Sequence, residues 1–489
     1  MHPGVAVIAD DTWSALRGRA ALTIDWAPGP QRTFDSDRFI EALPNAFEQR
    51  QFKVRHDGDA IAALGAASRR LEATYIYPFQ AHAPLETMNC TAHVRDGEAD
   101  IWVPTQTDVR TLEQAAKVTG LAPDRIHVHC ALMGGGFGRR LFADFVAEAA
   151  ELSQAVRAPV QLLWTRPDDM RHGYFQPATA ERFTAGLDAD GALQAIVHKT
   201  TASSLTIYEV HSGRNLWSGP PRAAKPDDVY ERDESPWGAF DNPYAIPNLR
   251  VDCADVTSPV PTGPWRAVEY PSTVFGRESF LDELAHMLSR DPIALRLALL
   301  PRGVRRLGSH DVDRARLARV LEAVGDRSGW NAPLRSSERR MVGRGVAANV
   351  YHGRSYIAMV AEVSVARDLS DIRVDRIVTV VDCGVALNPL GVDGQTESGI
   401  TWGLSATLLG KMDFRGGAPV QSSFADFHVM RMDRMPRLDT VILDSGAAPG
   451  GFGEHSVPTV APAVANALFA ATGKRLRALP LTAEKLLRA

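Results

Sequence analysis

Cysteine is scarce in this chain. Only Cys90, Cys130, Cys253 and Cys383 occur in 489 residues, far apart and never as Cys-x-x-Cys. Zinc ribbons and iron–sulfur clusters need closely grouped thiolates, so this spacing excludes both, and scattered thiols make a poor disulfide framework. Any electrons handled here must leave through another protein. An excess of charge is also missing. The 54 basic and 58 acidic residues leave a net charge of −4, and no basic run marks a nucleic-acid surface. Long apolar runs are absent too. The longest, around 457–471, is interrupted by Pro458, Pro462 and Asn466 and is too short to span a bilayer. The first twenty residues show neither a basic n-region nor an apolar h-region, so the expectation is a cytoplasmic chain without a membrane span.

What is present reads as globular: 45% hydrophobic and 23% charged residues, in a chain long enough for about two or three domains. Residues 1–35 read as strand, helix, strand and a Pro/Gly linker, too little to bury a face of their own. Residues 36–69 read as a linker. A hairpin is predicted at Asp96-Gly97, then a helix capped by Thr107 or Asp108 and stopped by Gly120. Next come a strand, "RIHVHCALM", the loop "GGGFGRR", a helix with Phe142, Phe145, Val146, Ala149 and Leu152 on one face, and the strand "PVQLLWTR". A second hairpin turns at Asp190-Gly191, and 205–245 reads as a long loop or lid. The second half offers a helix over 272–288, an irregular stretch over 300–340 and strands at 344–351, 355–366 and 373–382. A helix over 392–409, a strand at 439–443 and the last apolar helix complete it. Hairpins mixed with helices in both halves make the class α+β. The predicted units are 70–245 and 246–489.

Two glycine loops echo each other, "GGGFGRR" at 134–140 and "GGFGEHS" at 450–456. The first fits neither a Walker loop nor a dinucleotide fingerprint. It reads equally as a tight turn and as a loop whose bare amides approach an anionic ligand, with Arg139 and Arg140 beside it. Glu454, after the second loop, reads either as an acid complementing the start of a helix or as a base beside a bound group. Gln106, between a strand and a helix, is a surface amide or a ligand contact. Arg266 in "TGPWRAVEYPS" binds an anion or packs its stem on Trp265. Gly399 and Gly403, with Gln395 a turn earlier, mark a helix face for close packing or a flat ligand. His127 and His129 share a strand face without a third ligand nearby. His82 and Glu86 form a possible acid–base pair.

Taken in order, "HAPLETMNCTA", "VPTQTD", "MGGGFGRR", "WTRPDDMRHGYFQPA", "TGPWRAVEYPSTVFGRESFLDELA", "VDCGVALNPLGVDGQTESG" and "GGFGEHSVPTVAPAVANALFAATG" resemble one family. It is the molybdopterin-binding large subunit of the xanthine dehydrogenase and aldehyde oxidase superfamily, in its isoquinoline 1-oxidoreductase beta-subunit branch. The likeness runs from about residue 70 to the end and weakly over 1–35. It implies two large molybdenum-cofactor-binding domains of mixed sheets and packed helices at a shared cleft, with 1–35 the remnant of a hammerhead-like domain. It also implies a pterin-held molybdenum, extended as a cytosine dinucleotide, with no metal ligand from the protein. Carried over by position, Glu454 matches the catalytic base and Gln106 the glutamine beside the metal's oxo ligand. Gly135, Gly136, Phe137, Gly138 and Arg139, with Gln395 and Gly453, match the cofactor-binding set. Arg266 and Trp265 fall at the substrate pocket.

The implied reaction is oxidative hydroxylation of an N-heteroaromatic or aldehyde carbon, with water as the oxygen source. Electrons would pass to a small [2Fe–2S] subunit and on to a cytochrome c. Two departures stand out. Family members usually begin much earlier, often with a twin-arginine signal, which would make the location periplasmic. A non-catalytic, partner-binding fragment or half of a split enzyme is therefore the rival expectation. Purine-oxidising relatives also carry a carboxylate soon after the glycine loop, where this chain has Arg140-Leu141-Phe142, so purines are not expected.

Overall fold

A computed structural model describes residues 4–27, 29–202, 238–256, 258–307 and 310–489. The lid expected over 205–245 falls largely outside them. Three sheets organise the fold. The first has the order β1 (Phe52–Asp57), β9 (Asn248–Asp255), β8 (Leu193–Ala202), β7 (Thr179–Leu187), β2 (Arg69–Tyr77). The second runs β5 (Ile126–Cys130), β4 (Glu98–Val103), β3 (Asn89–Arg95), β6 (Val160–Leu163). Helices α4 (Asp108–Thr119) and α5 (Asp144–Val156) belong to this second unit, which has its own core around Met88, Ile101, Phe145 and Trp164. Thr107 caps α4 and Gly120 ends it in the left-handed conformation, as the turn chemistry predicts.

The third sheet is an antiparallel meander of β12 (Arg340–Tyr351), β13 (Ser355–Ala366) and β14 (Ile372–Asp382). To it β17 (Arg437–Ile442) adds in parallel. Between it and the first sheet lies α7 (Tyr270–Met287), with sixteen of its eighteen residues buried. One continuous apolar core runs from Tyr75 and Phe183 of the first sheet, through Phe275 and Phe280, to Val346 and Val360 of the third. Inside it the fully buried Glu278 accepts hydrogen bonds from Arg296 Nε (2.8 Å), Arg277 Nε (3.2 Å), Tyr244 OH (3.1 Å) and the Ala348 N–H (3.2 Å). A buried carboxylate persists only with such satisfaction, and here it ties α7 to β12.

Several expectations change. Residues 36–69 are not a linker: they form α2 (Ser36–Ala42), a 3-10 turn, β1 and α3 (Ala60–Gly65), and β1 pairs antiparallel with β9. That pairing carries the first sheet across position 246, because β9 belongs to the same sheet as β7 and β8. Residues 4–27 contain one helix, α1 (Thr12–Ala21), with no buried residue. The stretch over 300–340 holds a short hairpin, β10 (Val304–Leu307) with β11 (His310–Asp313), and a full helix, α9 (Arg314–Ser328). Its core face, Leu317, Val320, Leu321 and Val324, has helical spacing hidden among arginines. Among the described residues no helix is long and apolar enough to cross a membrane.

The last helix, α11 (Val457–Thr472), lies directly on β12, backbone to backbone. A Cβ at Gly345 would sit 2.1 Å from the Ala467 amide nitrogen and 2.4 Å from the Ala463 carbonyl oxygen. Gly345→Ala is therefore expected to destabilise the fold by about 1–3 kcal/mol, the usual cost of overpacking. It would read as a lower urea midpoint with an unchanged slope.

Candidate active site

Strands β4 and β5 run parallel, so the segments leaving their carboxyl ends emerge together. One carries Gln106 and the other Gly134–Gly138. The Gly138 N–H donates to Gln106 Oε1 at 3.0 Å, leaving the amide NH2 of this exposed glutamine for another partner. Gly135 and Gly138 have φ of 101° and 103°, which L side chains rarely adopt. Closeness also demands glycine. A Cβ on Gly136 would lie 2.5 Å from Gln106 Oε1, and one on Gly138 would lie 1.7 Å from the Pro264 carbonyl. Phe137, with φ of 55°, packs its ring 4.2 Å from Trp402 on α10 (Pro389–Leu408).

The two arginines after this loop do not face a ligand. Arg139 is buried in a bidentate pair with Asp144 (2.9 and 2.7 Å) and lies over the rings of Phe145, Trp164 and Tyr174. A guanidinium so placed is neutralised inside the protein, which corrects its assignment to the cofactor-binding set. Arg140, fully buried, donates to the carbonyls of Gly135 (2.9 Å) and Pro104 (3.0 Å) and to Glu86 Oε2 (2.9 Å). Glu86 in turn accepts the Gly134 N–H at 2.6 Å. Arg140 and Glu86 thus clamp both ends of the glycine loop, a long-range role that no local spacing announces. His82 is not paired with Glu86. Its buried ring lies between the carbonyls of Tyr174 (3.0 Å) and Pro264 (2.9 Å), and burial pushes its pKa down to about 4. His129 stacks on Trp102 and meets Asp100 at 2.8 Å.

The opposite wall centres on Arg266. Its Nε and Nη2 donate to the Gly453 carbonyl (2.9 and 2.6 Å), Nη1 to Ser398 Oγ (2.8 Å) and Nη2 also to Gln395 Oε1 (2.8 Å). Burial lowers its pKa to about 10 and the nearby Glu454 opposes the shift, so it stays cationic at neutral pH. These bonds correct its placement at the substrate pocket: the guanidinium is spent on protein partners. Trp265 does not line a pocket either; it is buried and its indole N–H donates to the Ala81 carbonyl at 3.1 Å. Gln395 is exposed, its oxygen held by Arg266 and its NH2 available. Gly399 and Gly403 pack on Ser456 and Val460, so that face serves helix packing.

Glu454 is half-buried. Its Oε1 accepts the Ala267 N–H at 3.1 Å and its Oε2 accepts Tyr351 OH at 2.6 Å. It therefore does not cap the following helix. The Ala267 N–H points there because Ala267 and Val268 take φ of 77° and 54°, a strain of about 1–3 kcal/mol per residue. Beside the carboxylate, the buried His455 stacks on Phe452 (4.7 Å, 12°), and neither ring nitrogen has a partner among the described residues. Burial pushes its pKa down to about 3. The structure thus brings together the 106 and 134–138 segments, Arg266 with Gln395, and the 453–454 segment: Gly138 abuts Pro264, and Arg266 lies 5.8 Å from the Phe137 ring while holding Gly453.

No three His, Cys, Asp or Glu residues gather to hold a metal among the described residues. What converges is two amide groups, bare glycine backbone and one carboxylate. Added Cβ atoms at Gly446, Gly451 and Gly453 would meet open space. This donor set can bind a polar ligand through amide and backbone groups, with one carboxylate able to accept a proton.

Two family models, each described as a molybdopterin cofactor-binding domain, match residues 42–213 and 322–436. The isoquinoline 1-oxidoreductase subunit beta of Brevundimonas diminuta is 29% identical over 98% of this chain and 59% of its own length. A membrane-bound aldehyde dehydrogenase [pyrroloquinoline-quinone] of Gluconacetobacter polyoxogenes is 30% identical over 99% of this chain and 63% of its own length. The chain thus spans about three fifths of the length of these curated relatives. Quinoline 2-oxidoreductase from Pseudomonas putida 86 shares the fold, with a TM-score of 0.79 at 14% identity over 98% of this chain and 84% of that one.

Gly136→Ala is expected to keep the fold while lowering molybdenum content about fivefold or more, since displacing Gln106 costs the ~1–3 kcal/mol of overpacking. Elemental analysis beside the thermal transition checks both.

Proposed function

The chain belongs to the molybdopterin-binding large-subunit family of xanthine dehydrogenases and aldehyde oxidases, and from that premise we propose that it is the catalytic subunit of a molybdenum hydroxylase. The substrate is a neutral N-heteroaromatic or an aldehyde. A C–H bond and water become a C–OH bond, two electrons and two protons. When bound, the cofactor, read here as the cytosine dinucleotide form of molybdopterin, supplies the two-electron acceptor and the activated water-derived oxygen.

The protein's part is to hold and to move a proton. The Gln106 and Gln395 amides and the bare backbone of 135–138 bind and orient the cofactor. Glu454 is the general base: each of its oxygens is held by one donor and keeps a second lone pair for the proton it accepts. The observation that carries this reading is the glutamate's place, half-buried and fixed on both oxygens, beside the segment that Arg266 ties to Gln395. The segment Arg140-Leu141-Phe142 stands where purine-oxidising relatives carry a carboxylate, and the lack of an acid there supports the reading of a neutral substrate. Electrons leave through a separate [2Fe–2S] subunit, with a cytochrome c beyond it.

Co-expression with such a subunit is expected to give about one molybdenum per chain. Glu454→Gln should then keep the metal and lose at least about 10²–10⁴-fold in kcat, the range for a positioned base. A chain that takes up no molybdenum under any co-expression would instead be the partner-binding fragment.

A further inference from the structure

Tyr351, the last residue of β12, is buried, and its hydroxyl donates to Glu454 Oε2 at 2.6 Å. Its ring is fixed from three sides. Tyr270 lies 4.5 Å away, His455 4.6 Å and His352 4.4 Å between ring centroids. Tyr270 is itself anchored: its hydroxyl donates to Asp241 and accepts the His352 N–H at 3.1 Å. The phenol therefore has little freedom to leave the carboxylate. The other carboxylate oxygen is held by a backbone amide, which no substitution can remove without moving the strained turn.

We propose that Tyr351 is a positioning residue for the base: its hydroxyl fixes the rotamer of Glu454, so that the base is aimed before substrate arrives. This rests on Glu454 being the base. Among the described residues, Arg266 faces it from the turn before α7 and Tyr351 from β12; His455 adjoins it in its own segment, with His352 of the β12–β13 turn next to His455 and His310 and Arg354 beside His352. Burial lowers the pKa of both histidines, to about 3 for His455 and about 4 for His352. Neither is therefore cationic where an enzyme of this kind is assayed, and they do not compete with the phenol. The sign follows. Removing a donor to a carboxylate eases its protonation, so the acid limb must move to higher pH.

The test is Tyr351→Phe in the molybdenum-loaded complex and in the cofactor-free chain. In the loaded enzyme the acid limb of kcat/KM is expected to rise by about one pH unit, with kcat down about tenfold and metal content unchanged. Tyr351 replaced by 3,5-difluorotyrosine, a stronger donor, should move the limb the other way. In the cofactor-free chain, the urea midpoints of Tyr351→Phe, Glu454→Gln and the double variant should be non-additive, the double losing no more than the larger single. An unmoved acid limb in both tyrosine variants, or additive midpoints, overturns the proposal. Should Glu454→Gln itself keep full turnover, the base assignment falls instead, and the two failures are told apart.

Discussion

The site depends on one buried cation. Arg266 is 4% exposed, yet it reaches the carbonyl before Glu454, the side chain of Gln395 and the hydroxyl of Ser398. Those groups belong to α10 and to the loop ahead of α11, and among the described residues no backbone hydrogen bond joins them to the turn that carries Arg266. A guanidinium suits this because its planar fork serves several acceptors at once and holds its proton despite burial. A lysine there would offer fewer directed donors and would more readily give up its charge. With Arg266 in place, the Ala267 amide lands on Glu454 and the Gln395 amide is left oriented. One residue's hydrogen bonds thereby set the positions of three others.

Strain enters at the same place. Two consecutive residues without glycine's freedom, Ala267 and Val268, sit at positive φ. Val268 is β-branched, which makes the conformation costlier. The turn is over-determined by the Val268 N–H to Trp265 carbonyl bond at 2.6 Å and the Gln176 amide to Val268 carbonyl bond at 2.9 Å. That energy is stored where the amide must point at a carboxylate, and it is offset by the packing of Trp265 and α7 behind it.

Much of the frame was legible in the sequence, and the reasons are local. The Asp96-Gly97 and Asp190-Gly191 turns, the Thr107 cap and the Gly120 stop are short-range signals, and each names its element. The family was legible through the order of the motifs. Directions of side chains were not. Arg139 and Arg140 stand next to a ligand-like loop in sequence, yet both turn inward because Asp144 and Glu86 wait there, and no spacing rule places Glu86 beside residue 140. Trp265 and Arg266 read as a pocket pair, but a large indole and a multivalent donor found better partners in the protein. Strand β1 went unseen because its partner, β9, lies almost two hundred residues on, and pairing of that range leaves no local mark.

The two glycine loops show why the same residue type serves two purposes. In 134–138 glycine is required by crowding: protein atoms from Gln106 and Pro264 stand where a Cβ would be. In 446–453 the glycines at 446 and 451 are required instead by backbone conformation, with φ of 66° and 79°, while Gly453 faces open space. Glu454 closes the second loop half-buried, with each carboxylate oxygen already held by one donor. The strained Ala267 amide and the phenol on β12, two elements distant in sequence, together fix its direction.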